Sequence, residues 1–391
     1  MRVLSISTLF PYPGRPQFGI FVANQMATVA RRDDIDLTMV NPIGIPPWPL
    51  SLREPYASLK RVPEASDFDG LTVRHRRFFT IPKFGAEAQP DRIAAALLPL
   101  ARKLHAEQPF DLVDAQFFYP DGPAAATVAR ALGLPLSIKA RGADIHYWGS
   151  RPRAGRQMRA AAGQAAGMLA VSQALRADMI ALGMPGDRIA VHYTGLDHER
   201  FQPVERAAAR SALSAVPRDG PLLVSTGALI ARKGQQFAIE ALVALPGVRL
   251  ALAGAGEDEA RLRALAASLG IAGRVHFLGV VGHAELPGLL AAADVMVLPS
   301  ASEGLANAWV EALACGTPLV ITDSGGAREV VRDASAGRIA ERNAAAIAEA
   351  IRAVLADPPS QQATAANAAR FSWDANAAAL ADYWYRLAGK S

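Results

Sequence analysis

The stretch Val295-Met-Val-Leu-Pro299-Ser-Ala-Ser-Glu303-Gly304-Leu305-Ala306-Asn307-Ala-Trp-Val-Glu311-Ala-Leu-Ala-Cys315-Gly316-Thr-Pro318 reads as a buried strand, a turn and a helix. Four apolar residues of strand length run into Pro299. Helical spacing holds from Leu305 to Ala314, and Gly316 with Pro318 ends it before the next apolar run, Leu319–Ile321. Strand, turn, helix and strand in succession build a parallel sheet with crossover helices. The turn also carries chemistry. Gly304 permits close approach of a ligand to the backbone. The amides of Leu305, Ala306 and Asn307 at the helix start attract phosphate. Glu311, two turns into the helix, can accept two hydroxyl hydrogen bonds, as a ribose offers. The plainer reading makes Glu303 a helix cap and Glu311 an exposed carboxylate.

The same alternation extends in both directions. Strand-length runs are expected at Val3–Ser7, Asp36–Val40, Leu71–Phe78, Leu112–Gln116, Leu136–Lys139, Met168–Val171 and Ile189–His192, and then at Leu222–Ser225, Arg249–Ala253, Val275–Leu278, Val295–Leu298 and Leu319–Ile321. Segments of helical spacing separate them, among them Phe21 to Ala30, Arg92 to His105, Gln235–Leu245 and Glu257–Leu269. The pattern breaks near Asp197–Gly220, where Pro203, Pro217 and Gly220 flank a short Ala-rich helix. The expected fold class is therefore α/β, with two Rossmann-like domains facing across a cleft. Such sheets bind ligands beyond the carboxyl ends of their strands.

Two further turns follow strands of the second half. Gly227-Ala-Leu-Ile-Ala-Arg232-Lys233-Gly234 sets two cations beside a Gly turn, where a diphosphate would be held by the fork of Arg and the point charge of Lys. Cations are unfavourable at a helix start unless an anion joins them, which argues against a merely solvated turn. Gly254-Ala-Gly256-Glu257 follows the next strand, and Gly254 and Gly256 are candidate substrate-binding glycines where a ligand can approach the backbone.

Composition narrows the class. The 391 residues suit two to three domains at roughly 150 residues each. With 51% hydrophobic and 20% charged residues the chain is globular and not disordered. The single Cys315 excludes an intrachain disulfide and Cys-based metal clusters, and it favours a reducing, cytoplasmic setting. The apolar start Met1–Phe10 reads as a first strand, not a signal peptide. Uncharged stretches fall short of the roughly 18 residues of a spanning helix. Residues 1–190 hold 23 Lys and Arg against 16 Asp and Glu, while residues 191–391 hold 18 against 20. The first half thus favours anionic partners. No nucleic-acid-binding signature accompanies that charge, so nucleic acid is not an expected partner.

In the second half the chain resembles the GT-B glycosyltransferases of the group 1 (GT4) family, which are retaining enzymes using nucleotide sugars. The elements Glu303-x7-Glu311, Arg232-Lys233, Gly254-x-Gly256, Tyr193-Thr-Gly195-Leu-Asp197-His-Glu-Arg-Phe201 and Ser324-Gly-Gly326-Ala-Arg-Glu329 occur in the family's order. The likeness is dense over 170–332 and thin over 40–130. It implies that Arg232 and Lys233 hold the diphosphate, that Glu303 contacts the donor sugar, that Glu311 binds the ribose, and that Gly19 faces the phosphate. It also implies that the final helix, here Trp373–Ala388, returns to the first domain. The domains are then 1–196 with 373–391, and 197–372.

Three departures from the family pattern stand out. The first loop reads Gln17-Phe18-Gly19-Ile20 where paired glycines are usual. Thr194 replaces the usual Asn before the Gly-x-Asp phrase. Arg141-Gly142-Ala143-Asp144 stands where the family often has His-Gly-x-Asp, so Arg141 can bind a phosphate or hydroxyl but cannot shuttle a proton. His146, five residues on, is the candidate substitute. The resemblance further implies front-side transfer in which the departing diphosphate takes the acceptor proton, needing no cofactor and no metal.

Asp34-Ile35-Asp36 matches the letters of a metal-binding Asp-x-Asp but leads into a strand rather than following one. The rival readings are a nicotinamide oxidoreductase, from the Gly254–Gly256 turn, and a non-catalytic nucleotide-sugar or glycan binder on the same scaffold. The acceptor is expected to be a glycan or lipid-linked sugar. Residues 42–61, with Trp48, Leu50, Leu52, Tyr56, Lys60 and Arg61 among prolines, resemble an interfacial anchor, and Arg151, Arg153, Arg156 and Arg159 add basic surface for an anionic membrane.

Overall fold

The computed structural model describes residues 1–54, 56–81, 85–213, 216 and 219–390. Pro217, read above as part of the interdomain break, lies outside the described residues. Two compact units divide the chain: Met1–Gly195 with Trp373–Ser391, and Leu196–Ser372.

The first unit carries an eight-stranded sheet of β1 (Arg2–Ile6), β2 (Asp36–Ile45), β3 (Ala65–Phe68), β4 (Leu71–Phe79), β5 (Leu112–Ala115), β6 (Leu136–Ala140), β7 (Gly167–Ala170) and β8 (Ile189–Val191), in the order β3-β4-β2-β1-β5-β6-β7-β8. All neighbours are parallel except β3 and β4. The second unit has six parallel strands, β9 (Leu222–Thr226), β10 (Arg249–Ala253), β11 (Val275–Gly279), β12 (Val295–Leu298), β13 (Leu319–Thr322) and β14 (Gly337–Ala340), in the order β11-β10-β9-β12-β13-β14. Both are Rossmann-like, with the strand order reversing beside β1 in one sheet and beside β9 in the other.

Two strands escape the periodicity argument. β3 is a short edge strand whose apolar content is Ala65 and Phe68, and it is made by its turn. Asp69 (φ 53°) and Gly70 (φ 81°) take the two left-handed positions of a tight hairpin. Phe68 then packs edge-on against Phe10, 6.1 Å between centroids. β14, Gly337-Arg-Ile-Ala340, is too short to show alternation. β2 runs on through Pro42 to Ile45, past the expected end at Val40. Beyond Val40 it pairs only with β4, so Pro42 lies where the strand has one neighbour.

The helix Trp373–Leu387 closes the first unit's core. Ala377, Leu380, Ala381 and Trp384 pack with Val22, Ala23 and Met26 of the helix Ile20–Ala30 and with Leu112 and Leu169 of the sheet. Polar pins fix its rotation. Trp384 Nε1 donates to Asp114 Oδ1 at 3.1 Å, Tyr383 Oη to the Met168 carbonyl at 3.1 Å, and Asn376 Nδ2 to the Tyr193 carbonyl at 2.6 Å. Asp114 is fully buried, and burial raises its carboxyl above the usual range, so each donor to it matters. Trp384→Phe keeps most of the apolar surface and removes one donor from that carboxylate. It is expected to destabilise the protein by about 1–3 kcal/mol, read as a lower midpoint in urea with an unchanged slope.

Candidate functional site

The reversal in the second sheet puts β9 beside β12, so the turns that leave their carboxyl ends are neighbours. That is why residues 70 positions apart in sequence meet. Lys233 Nζ lies 2.5 Å from Glu303 Oε1, and Arg232 Nη1 lies 3.5 Å from Glu303 Oε2 and also donates to the Ser302 carbonyl. Glu303 is buried and is not a helix cap; its carboxylate bridges both cations. The helix Asn307–Ala314 begins with Ala306 as N-cap, with no side-chain cap and no acidic residue in its first turn. The amides of Leu305, Ala306 and Asn307 have no acceptor among the described residues. Around the same strand ends the hydroxyls of Thr226, Ser300 and Ser324 are buried without a hydrogen-bond partner among those residues. The result is a donor-rich recess with one internal carboxylate, suited to a polyanion bearing polar groups.

Glu311 lies in the same helix, between the buried Val310 and Ala312. It keeps partial exposure, yet desolvation pushes its carboxyl up to about 7, and no cation pairs with it among the described residues. Behind it Cys315 is buried and its thiol is raised to about 12 by burial and by the Glu311 charge. Gly304 is stitched down by the Gly326 amide, which donates to its carbonyl at 2.8 Å. Gly254 and Gly256 have a packing reason. A Cβ at either would lie 1.9 Å from the Gly227 carbonyl oxygen or 2.2 Å from that of Leu229, so these glycines let the turn after β10 nest on the turn after β9.

In the first unit Gly19 is the left-handed N-cap (φ 69°) of the helix Ile20–Ala30, pressed against Leu9, where a Cβ would lie 2.5 Å from backbone atoms. Arg141 follows β6 and reaches the reversal beside β1, bonded to Gln25 and Gln116. His146 does not join it there. Its Nε2 lies 2.9 Å from Asp178 Oδ2 of the helix Gln173–Ala181. Asp34 and Asp36 lie at the amino end of β2 and are spent on ion pairs with Arg32 (2.9 Å) and Arg2 (3.0 Å), away from the ligand end of the sheet.

Arg342 was not anticipated by the sequence reading. Its Nε donates to the Pro299 carbonyl at 2.9 Å and one Nη to the Ala231 carbonyl at 3.0 Å, tying the two site turns together. It follows β14, so it became legible only with that strand. Gln25 and Gln116 were likewise missed. The available signal was a lone amide on the otherwise apolar face formed by Val22, Ala23 and Met26. A cavity of about 950 Å³ opens at the β11 edge against Ala209, Val275 and Leu289, and it contains none of the expected site residues.

Two known families match the chain: Glycosyltransferase Family 4 over residues 22–200 and Glycosyl transferases group 1 over residues 210–371. A Bacillus subtilis (strain 168) chain named for teichuronic acid biosynthesis, glycosyltransferase TuaC, is 29% identical over 359 residues, 90% of this chain and 88% of its own. The D-inositol 3-phosphate glycosyltransferase of Mycobacterium tuberculosis (strain F11) is 37% identical over 216 residues, 52% of this chain and 45% of its own. Among solved structures, sucrose-phosphate synthase from Thermosynechococcus elongatus aligns with a TM-score of 0.80 at 19% identity over the whole of both chains. Anabaena HepE in complex with UDP-glucose aligns at 0.74 and 20% identity, over 99% of this chain and 100% of that one. At such identities the structures speak for the fold.

The raised Glu311 carboxyl has a stability consequence of definite sign. Above about pH 7 the group is ionised in both folded and unfolded chains, and the folded state bears the desolvation; below its ordinary value it is neutral in both. Glu311→Gln is therefore expected to raise the stability of the ligand-free protein at pH 8 by about 2 kcal/mol, its partial exposure discounted. The gain should fade as pH falls through 7 toward the ordinary glutamate range. Thermal melts at pH 8 and pH 5 check it, and an equal gain at both would refute the desolvation account.

Proposed function

The chain belongs to the group 1, family 4 glycosyltransferases, and on that premise we propose that it moves a sugar, with retention at the reacting carbon, from a nucleoside diphosphate sugar to a glycan or lipid-linked acceptor in cell-surface polysaccharide or glycolipid assembly. The observation that carries this reading is the meeting of Arg232, Lys233 and Glu303 beside the uncapped helix Asn307–Ala314. In the proposed reaction the bond from the sugar carbon to the diphosphate oxygen breaks as the acceptor oxygen bonds to the same face. The acceptor hydroxyl proton passes to the departing diphosphate. Charge develops on that leaving group, and Arg232, Lys233 and the amides of Leu305, Ala306 and Asn307 stabilise it, a role that requires neither cofactor nor metal. Glu303 positions the donor sugar and Glu311 accepts the two ribose hydroxyls. Gly254, Gly256 and Gly304 let the donor approach the backbone in the second unit, and Gly19, Arg141 and His146 belong to the acceptor-binding unit.

The crystal structure of Anabaena HepE is of a complex with UDP-glucose, which makes UDP the first nucleotide to test. At 100 times its dissociation constant a ligand adds about 2.7 kcal/mol. UDP, GDP and ADP are each melted with the native chain and with Glu311→Ala. One of the three should stabilise the native protein and lose that effect in the variant. NADH acting alone would instead favour the oxidoreductase. Affinity for the effective nucleotide should fall as pH drops through 7, because the ribose requires the ionised Glu311. Glu303→Ala should lower kcat at least ~100-fold, and unchanged turnover would remove Glu303 from the reacting site.

No helix among the described residues is long and apolar enough to cross a membrane. Peripheral docking of the first unit is the proposed alternative. In its support, Trp48 is 77% exposed and Leu52 62% exposed in the loop after β2, and Arg151, Arg153, Arg156 and Arg159 are exposed in the segment after β6. Both segments follow the carboxyl ends of strands, β2 and β6, in the same sheet. Arg151 also stacks on the exposed Tyr147, 4.2 Å from its ring centre. Vesicles rich in anionic lipid should sediment the native chain. Trp48→Ala with Arg153→Ala should leave it in the supernatant, and co-sedimentation unaffected by the pair would count against docking.

A further inference from the structure

The reversal of the first sheet holds a cation to which the transfer chemistry above assigns no step. Arg141 Nη2 donates to Gln25 Oε1 at 2.7 Å and to Gln116 Oε1 at 2.6 Å, and its Nε to the Gln116 carbonyl at 3.1 Å. All three acceptors are neutral. Two carboxylates act on it electrostatically, and both are committed elsewhere. Asp144 accepts the backbone amides of Phe118, Arg141, Gly142 and Ile145. Asp114 accepts Ser5 Oγ, Gln116 Nε2 and Trp384 Nε1. Arg141 forms no ion pair among the described residues.

The arrangement around it is fixed. Because Gln116 spends its amide nitrogen on Asp114, its oxygen must face Arg141. Lys139, fully buried one residue pair earlier on β6, donates to Gln25 Oε1 at 3.4 Å and lies 2.6 Å from His192 Nδ1, again with no carboxylate partner. Two donors thus claim Gln25 Oε1, and the Nε2 of this fully buried side chain has no partner among the described residues. Arg141 Nη1 also lacks one, and it is not sealed from solvent, since Arg141 keeps partial exposure. The ring of Phe21 lies 5.2 Å from the guanidinium carbon.

Taking a cation out of water without a counter-anion is unfavourable, and folded proteins ordinarily answer it with a carboxylate. Here neutral amides hold the guanidinium in place, and the anion is left to come from outside. Burial lowers the Arg141 ionisation to about 10, so it stays charged at neutral pH. We propose that Arg141, oriented by Gln25 and Gln116, receives an oxyanion borne by a sugar, a carboxylate or a phosphate on the donor sugar or on the acceptor, and so selects charged over neutral substrates. This rests on the transferase reading and adds the charge class of its substrate. The free Nη1 supplies a charge-assisted hydrogen bond that a neutral hydroxyl answers only weakly.

Calorimetry on the full chain separates the two sources. The acceptor arm compares glucose 6-phosphate and glucuronate with glucose; the donor arm compares UDP-glucuronate with UDP-glucose. In one arm the charged probe should bind at least about ten-fold tighter than its neutral counterpart. Arg141→Gln should abolish that preference. Gln25→Glu, which supplies a carboxylate beside the guanidinium from within, should abolish it too while raising Tm, so loss of binding is not loss of fold. Equal binding of charged and neutral probes in both arms, no binding of any charged probe, or a preference that survives in Arg141→Gln would overturn the proposal. Nucleotide stabilisation that depends on Glu311 reads the second unit independently. If it appears without a charge preference, only the oxyanion receptor fails. If glucose 6-phosphate binding depends on Arg141 while no nucleotide stabilises the protein, the donor reading fails and the receptor stands.

Discussion

Crossovers between parallel strands are right-handed, so a sheet that grows outward in both directions from one central strand must send its connections to opposite faces. Where the direction changes, two adjacent strands end with their chains diverging, and a recess opens between the turns. β1 beside β5 and β9 beside β12 are those places. The opposite strand ends are closed by pins. The Arg2 amide donates to Asp111 at 2.8 Å, and Asp294 takes the Leu222 amide at 2.8 Å together with the Arg210 guanidinium. One end of each sheet is thus locked by charges that satisfy each other, and the other end carries groups with unused bonding capacity.

The two recesses treat cations differently. In the second unit Arg232 and Lys233 face a carboxylate, so their charge is answered within the protein. In the first, Arg141 and Lys139 face amide oxygens and an imidazole, which orient a cation without neutralising it. Desolvation acts on each in the expected direction: the Lys139 ammonium is held well below its ordinary range, while Arg141 retains its proton. Burial acts against the charged form of both groups, and the guanidinium, which starts from the higher value, is the one that remains a fixed charge at neutral pH.

The sequence made legible whatever depends on local pattern. Apolar runs located twelve of the strands, and glycine-bearing turns after β9, β10 and β12 marked where chemistry gathers. β3 was hidden because Asp69 and Gly70 make it rather than side-chain alternation, and β14 because four residues cannot display a period. Glu303 was read as a ligand contact or a cap, and its bridge to Lys233 needed the β9–β12 adjacency that no local window contains. The glycines 254 and 256 were read for ligand approach, whereas the fold itself needs them for turn-on-turn packing. Gln25 and Gln116 carry no motif. Their role exists only once β1, β5 and β6 lie side by side, which is also why the departure at Arg141 could be noticed in the sequence but not understood there.

The Glu303 bridge implies an order of events. An anion drawn to Arg232 and Lys233 finds them already paired and must exchange with the carboxylate. Such an exchange leaves local charge nearly balanced before and after, so its dependence on ionic strength should be shallower than that of a bare cationic turn. The displaced carboxylate is then released from both cations at the moment a bound molecule is present to offer it hydroxyls. One side chain thereby couples capture of the charged end of a ligand to recognition of its neutral end, with the second step withheld until the first has occurred.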